Sequence, residues 1–259
     1  MNQKKKVTAT VHESNKLADG IYEMWINTDL ALTAKPGQFV GVYPKDKSTL
    51  LPRPISICEA DRATKRLRLV YRIAGKGTEE FSGYKAGDSV TILGNLGNGY
   101  PLDEIKDAKS VMIMGGGIGI PPMVELAKSL SCKKNIVVGY RNDDLFLNQE
   151  LYKNGTLYIA TEDGSIGTKG NVLDAVREKG LTADVICACG PMPMLRAIKQ
   201  YAKENGIKAY ISLEERMACG VGACLGCVCK TKETDHHSHV NNTRICTNGP
   251  VFDAEEVEI

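Results

Sequence analysis

What the chain lacks narrows its function first. Its 33 basic residues against 31 acidic ones leave a net charge of only +2. That implies neither a nucleic-acid-binding surface nor an acidic solvating tail. No apolar run approaches the length of a membrane span. Lys4, Lys5 and Lys6 near the N-terminus are not followed by the apolar core of a secretion signal. Nucleic acid and membrane are therefore not expected as partners, and the cytoplasm is the expected compartment. Histidine is scarce too: of four in the chain, three (His236, His237 and His239) fall in one polar stretch.

Cysteine, by contrast, is plentiful. Nine cysteines without an export signal point to ligands and free thiols in a reducing compartment, not to disulfides. With 42% hydrophobic and 25% charged residues, the composition is that of an ordinary globular protein. A length of 259 residues gives room for roughly two domains and a small third unit.

Cys219, Cys224 and Cys227 stand at C-x4-C-x2-C spacing, and Cys246 follows after an interval of eighteen residues. Three thiolates on one tight loop with a fourth from a distant segment is the plant-type ligand arrangement for a [2Fe-2S] cluster. Gly220, Gly222 and Gly226 lie between the ligands, where they let the backbone close around inorganic sulfur and aim N–H groups at it. Zinc is the competing reading, but structural zinc sites usually show two short Cys or His pairs. A centre mixing Cys with two ligands from the histidine run is a further alternative. Cys229 is expected to be a half-buried strand thiol.

The first hundred residues read as all-β. Short runs from Lys6 to Val11, Gly20 to Ile26, Gln38 to Tyr43, Arg66 to Tyr71 and Ser89 to Leu93 are separated by glycine and proline punctuation. A small antiparallel barrel is the simplest closure. Leu51 to Ile57 holds Arg53 between two prolines in an extended segment. Gly75-Lys76-Gly77-Thr78 leads toward a short helix expected over Glu79 to Tyr84. A rigidly held arginine beside a glycine loop that opens a helix makes an anion cradle.

Beyond residue 100 the period changes. The strand Val111 to Met114, the glycine-rich turn Gly115 to Gly119 and a helix opening at Pro121-Pro122 begin an alternation of strands and helices. Strands are expected at Asn135 to Tyr140, Thr156 to Thr161, Asp184 to Cys189 and Lys208 to Leu213, with helices between them. That alternation predicts a parallel sheet covered on both faces, with ligands at the carboxyl ends of its strands. Three loops follow strands: Gly115 to Gly119, Thr161 to Ser165 and Cys189 to Met192. All three are expected to line one crevice that takes a dinucleotide. Glu162 and Asp163 would accept from ribose hydroxyls and repel a 2'-phosphate, which favours NADH, although Arg141 after the preceding strand pulls the other way.

Taken together, these motifs resemble the ferredoxin-NADP reductase superfamily over nearly the whole chain. With the C-terminal cysteine module and its lead-in, Leu213 to Ala218, the chain is most similar to the electron-transfer subunits of type B dihydroorotate dehydrogenases. The resemblance implies a β plus α/β fold: a FAD-binding β-barrel (1–101), a NAD-binding α/β domain (102–212) and a [2Fe-2S] module (213–259). By resemblance Arg53 clamps the FAD pyrophosphate, Pro54 and Ile55 belong to the same flavin-binding motif, Ser56 lies near the flavin ring, and Tyr71 packs beside the isoalloxazine or the ribityl chain. Gly75, Gly77 and Thr78 would hold phosphate oxygens through backbone and hydroxyl. Gly116, Gly117, Gly119 and Asp163 would receive NAD(H), with Cys189 near the nicotinamide. The implied partner is an FMN-containing catalytic subunit that oxidises dihydroorotate in pyrimidine biosynthesis, in a heterotetramer of two of each. The alternative is a related NAD(P)H reductase subunit of a hydrogenase, a sulfide or ferredoxin system, or an oxygenase.

Overall fold

The computed structural model of the chain describes residues 4–234 and 240–259; His236, His237 and His239 lie outside the described residues. Six strands close the barrel: β1 (Lys5–Ala18), β2 (Ile21–Asn27), β3 (Phe39–Tyr43), β4 (Arg53–Asp61), β5 (Arg66–Arg72) and β6 (Ser89–Leu96). Their order is β1-β2-β5-β4-β3-β6, every pair antiparallel. Alternation drives the closure, because side chains two apart share a face. Met24 and Ile26, Val40 and Val42, Leu67 and Leu69, with Ile57 and Ile92, fill the interior and are fully buried. The sequence reading yields five strands here. The sixth, β4, begins inside the proline-bracketed segment, because Pro54 stands opposite Gly41. A Cβ on Gly41 would meet the Pro52 ring at 3.1 Å.

Helix α1 (Lys76–Ser82) starts three residues before the expected Glu79, so the glycine loop is its first turn. It drops Phe81 into the barrel, edge-on to Tyr71 at 6.0 Å.

The second layer is a parallel sheet of β7 (Ser110–Gly116), β8 (Lys133–Tyr140), β9 (Thr156–Thr161), β10 (Thr168–Lys169), β11 (Val185–Cys189) and β12 (Lys208–Ser212), ordered β10-β9-β8-β7-β11-β12. Its helices are α2 (Leu102–Ile105), α3 (Pro121–Ser129), α4 (Asn148–Tyr152), α5 (Val172–Glu178) and α6 (Met192–Asn205). Strand alternation divides its residues between two cores. Met112, Met114, Ile186 and Ala188 pack under α5 and α6, while Val111, Ile113, Val185 and Cys187 pack under α3 and α4.

The C-terminal module adds β13 (Val228–Thr231), β14 (Asn242–Arg244), β15 (Val251–Asp253) and β16 (Val257–Glu258). Three of them form a small sheet, β14-β13-β16, while β15 joins the large sheet antiparallel to β12. Cys229 is a half-buried thiol within β13. Among the described residues no helix is long and apolar enough to cross a membrane.

Buried charge joins the barrel to the sheet domain. Arg68 on β5 lies 2.7 Å from Glu23 on β2 and 3.2 Å from Glu150 on α4, and all but the rim of this group is shielded from water. Glu59 on β4 takes Lys128 of α3. Glu125 of α3 accepts from the Ala60 N–H at 3.0 Å and from Arg62 at 3.1 Å. Desolvated charges hold only as satisfied sets, because removing one partner strands the other. Arg68→Met, which leaves Glu23 uncompensated, is expected to lower stability by about 3–5 kcal/mol. The check is the urea midpoint at equal cofactor loading, and Lys16→Met at the exposed Lys16–Asp19 pair should hardly move it.

Candidate functional site

Arg53 opens β4 and donates from Nη1 to the Leu51 carbonyl at 2.6 Å. It has no carboxylate partner among the described residues. A Cβ on Gly77 would come within 2.7 Å of Arg53 Nε, so the guanidinium rests directly on the first turn of α1. By helix geometry the N–H groups of Lys76, Gly77 and Thr78 have no intrahelical carbonyl. An unpaired guanidinium on such a turn fits the diphosphate of a flavin dinucleotide. Gly77 is needed because any side chain there would displace Arg53. Gly75 sits at the cap with open space around it.

Two expectations here need correction. The Thr78 hydroxyl is occupied inside the loop: it accepts from the Ala74 N–H at 2.8 Å and donates to the Gly75 carbonyl at 3.0 Å. It braces the turn, leaving its backbone N–H for an anion. Tyr71 does not reach the flavin-motif face at all. It lies within the barrel, 1% exposed, stacked on Tyr22 at 6.4 Å. Parity is the cause: Leu67, Leu69 and Tyr71 share the inner face, whereas Pro54 and Ser56 project outward and stay half-exposed. Burial raises the Tyr71 pKa. Ile55 also turns inward, into the barrel core.

The three loops all leave the carboxyl ends of parallel strands, and two of them touch. Gly115 at the end of β7 is in register with Cys189 at the end of β11. The two loops are in close contact, since a Cβ on Gly119 would lie 2.4 Å from the Cys189 carbonyl oxygen. Gly116 faces Met194 and Pro191, while Gly117, at φ +52°, opens onto free space. Burial pushes the Cys189 thiol up to about 12, against a smaller opposing effect of Ser212. The thiol is therefore neutral at ordinary pH and is no thiolate nucleophile. Asp163, two strands away beyond β9, accepts from the N–H of Ser165 at 2.9 Å and its hydroxyl at 2.7 Å. Those hydrogen bonds hold its pKa below the usual value. Its backbone N–H donates to the Arg141 carbonyl at 3.3 Å, so Arg141, Glu162 and Asp163 share one rim.

A hairpin assembles the cysteines. Val228 pairs with Arg244 across β13 and β14, and the Ile245 N–H donates to the Cys227 carbonyl at 2.9 Å. This pairing is what brings the distant Cys246 back beside Cys227, and both are buried. On the preceding loop, Cys219 Sγ accepts from the N–H groups of Val221, Ala223 and Cys224 at 3.3–3.4 Å. Cys224 Sγ accepts from the Gly226 N–H at 3.4 Å. Gly220 and Gly222 adopt φ of +66° and +84°, the left-handed conformations that turn these N–H groups onto sulfur. Burial raises the Cys219 pKa, yet the N–H groups of Val221 and Cys224, with the Cys224 thiol and the Ala223 N–H, bring it down to about 6. Burial and the neighbouring Cys227 instead push Cys246 up to about 11.

Cys219 and Cys224 thus share one glycine loop, and the β13–β14 pairing sets Cys246 beside Cys227. Among the described residues no three Cys, His, Asp or Glu side chains stand close enough to share one metal ion. Four thiols, three on one loop and the fourth delivered by the β13–β14 pairing, fit a dinuclear cluster in which each iron takes two protein ligands. Sequence reasoning missed Arg244, whose Nη1 holds the cysteine loop through the Gly222 carbonyl at 2.9 Å. It also missed Asn98, which donates to the Asn248 carbonyl at 3.0 Å and ties the loop region to the barrel. Neither carries a motif. A groove of about 1490 Å³ beside β1 and β6 contains none of the flavin-motif residues.

Comparison with known proteins agrees with this geometry. Residues 214–258 match the iron-sulfur cluster binding domain of dihydroorotate dehydrogenase B. The chain is 42% identical to the electron transfer subunit of dihydroorotate dehydrogenase B (NAD(+)) of Bacillus velezensis, over 98% of this chain and all of that protein. It is 41% identical to the subunit of the same name from Fusobacterium nucleatum, over 96% of this chain and 97% of the relative. Among solved structures, an NADH-dependent reduced ferredoxin-NADP oxidoreductase described for flavin-based electron bifurcation superposes with a TM-score of 0.86 at 28% identity, over 96% of this chain and 89% of that one. A ferredoxin NADP+ reductase from Neisseria gonorrhoeae shares the fold at a TM-score of 0.66 and 16% identity, over 82% of this chain and 94% of that one. By these matches and by its four-cysteine set, the chain belongs to the family of electron transfer subunits of dihydroorotate dehydrogenase B (NAD(+)).

Proposed function

We propose that this chain carries electrons between a dihydroorotate-oxidising partner and NAD+, holding FAD at the β4–α1 corner and a [2Fe-2S] cluster at the four cysteines. The observation that carries the reading is the β13–β14 pairing, which sets Cys246 beside Cys227 and next to the glycine loop of Cys219 and Cys224, in a chain that also has a nucleotide edge and an anion cradle. A nicotinamide exchanges two electrons as hydride and an iron-sulfur cluster one at a time, and a flavin supplies the chemistry that joins the two.

The chain's own residues bind and orient. Arg53 and the first turn of α1 neutralise the diphosphate, and the outward faces of Pro54 and Ser56 border the ring. Gly116, Gly117 and Gly119 let a second dinucleotide approach the backbone at the β7 edge. Glu162 and Asp163 accept from its ribose and favour NAD over NADP. Cys189 packs at the nicotinamide as a neutral thiol. No general acid or base is required, since hydride transfer depends on alignment of donor and acceptor. The N–H groups on Cys219 and Cys224 stabilise negative charge on the outer sulfurs.

The partner reading is a catalytic subunit containing FMN, assembled as two copies of each chain. Support comes from the cysteine loop itself, where Cys224 is exposed and Val221 and Leu225 present apolar side chains to solvent. A surface of that kind suits a protein partner.

Two variants test the assignment. Cys219→Ser is expected to retain FAD and NADH-driven reduction of small dyes while losing transfer to the partner. Anaerobic stopped-flow on the complex reads both, and intact transfer would contradict the proposed route. Arg53→Ala removes the guanidinium assigned to the diphosphate and should cost FAD occupancy, seen as loss of flavin absorbance on desalting with iron content unchanged.

A further inference from the structure

The flavin motif and the cysteine loop sit on different elements, yet one row of side chains runs between them. Ser56 on β4 stands opposite Phe39 on β3, and Phe39 stands opposite Leu96 on β6. Residues directly opposite in antiparallel strands share a face. This is the outer face of the barrel: Phe39 and Leu96 belong to the core that contains Cys227 and Cys246, while Val40 and Ile57 belong to the barrel interior. The row continues into the cysteine loop, where a Cβ on Gly220, next to Cys219, would meet Leu96 Cδ1 at 3.2 Å. The Phe39 ring covers Gly97, whose added Cβ would meet Phe39 Cε1 at 3.0 Å and the Gly249 carbonyl oxygen at 2.6 Å.

The joint is pinned on both sides. Gln38 Nε2 donates to the Gly97 carbonyl at 2.9 Å, and Asn98 Nδ2 to the Asn248 carbonyl at 3.0 Å. With strands about 4.8 Å apart, Ser56 and Leu96 are separated by about 10 Å of backbone, and Phe39 is the side chain that fills the interval. Phe39 is only 4% exposed and Leu96 1%.

We infer that Phe39, with Leu96, is the packed bridge that couples the flavin site to the cluster, a positioning role that rests on the function proposed above. Electron exchange through a protein weakens steeply when a packed contact is replaced by a gap, and a buried phenyl ring removed from a core leaves such a gap. The exchange is of single electrons. For each one that leaves a reduced flavin, one ferric ion of the oxidised cluster becomes ferrous. No bond to this chain forms or breaks, and a proton released at the flavin passes to solvent. Phe39 touches neither reacting centre through a polar atom. Its part is to keep the intervening space filled and the two modules at fixed separation.

The test uses the complex of the full chain with its partner, loaded with flavin and iron, in wild-type, Phe39→Ala and Phe39→Leu forms. Four properties should stay unchanged in both variants: flavin and iron content, the KM for NADH in dye reduction, the cluster EPR line shape and the cluster potential. After anaerobic mixing with NADH, the flavin band should bleach at the wild-type rate. The cluster band should bleach several-fold more slowly in Phe39→Ala, with most of the loss recovered in Phe39→Leu. A wild-type cluster rate in Phe39→Ala would overturn the bridge. If Phe39→Ala loses a cofactor, Phe39→Leu and Leu96→Val carry the test: graded slowing supports the bridge and unchanged rates overturn it. A wild-type complex whose cluster never responds to NADH would overturn the proposed function itself, and the bridge with it.

Discussion

Backbone pairing between β13 and β14 is the constraint on which the rest depends. The first three cysteines share one short stretch of chain, but Cys246 arrives only because the hairpin register sets Arg244 opposite Val228 and places Ile245 against the Cys227 carbonyl. The same segment then runs through Pro250 into β15, which extends the large sheet beside β12. The loop that holds the thiols is thus fastened to the nucleotide-binding sheet at one end and to the barrel through Asn98 and Leu96 at the other. Neither fastening uses a charged pair. Both consist of uncharged hydrogen bonds and close apolar contact, which stay fixed over a range of salt and pH.

Charge is concentrated elsewhere, at the seam between barrel and sheet domain. Arg68, Glu23, Glu59, Glu150 and Lys128 form one partly desolvated set, and Glu125 satisfies a β4 backbone donor. Such a set fixes relative position more than it adds stability. The position matters because the flavin motif lies on β4 and the nucleotide loops lie on β7 and β11, so hydride exchange requires the two units to meet at one separation. Thiol electrostatics follow the same economy. Cys219 is held low by backbone N–H groups, whereas desolvation holds the half-buried Cys189 high.

Much of this was legible in the residues. The C-x4-C-x2-C loop and its distant fourth cysteine, the glycine turn after Val111 to Met114 and the change of period near residue 100 each carry a local signal that tertiary context does not override. The resemblance places Tyr71 at the flavin, but its parity with Leu67 and Leu69, which the period of two already contains, turns it into the barrel. The Thr78 hydroxyl was assigned to a ligand because nothing in sequence reveals that Ala74 N–H and Gly75 C=O would reach it first. Strand β15 is three residues long and follows a proline, too short for periodicity to register. Phe39 has no motif at all. Its position depends on registers across three strands that only the folded barrel defines.

The central claim is a continuous electron route between dihydroorotate and NAD, and it is tested most directly by anaerobic absorbance titration of the complex isolated with this chain from its native cell. Dihydroorotate and NADH are added in separate titrations. The account predicts that each bleaches both the flavin and the cluster bands. Bleaching by NADH alone would contradict it, leaving a reductase whose co-purified partner acts on another substrate.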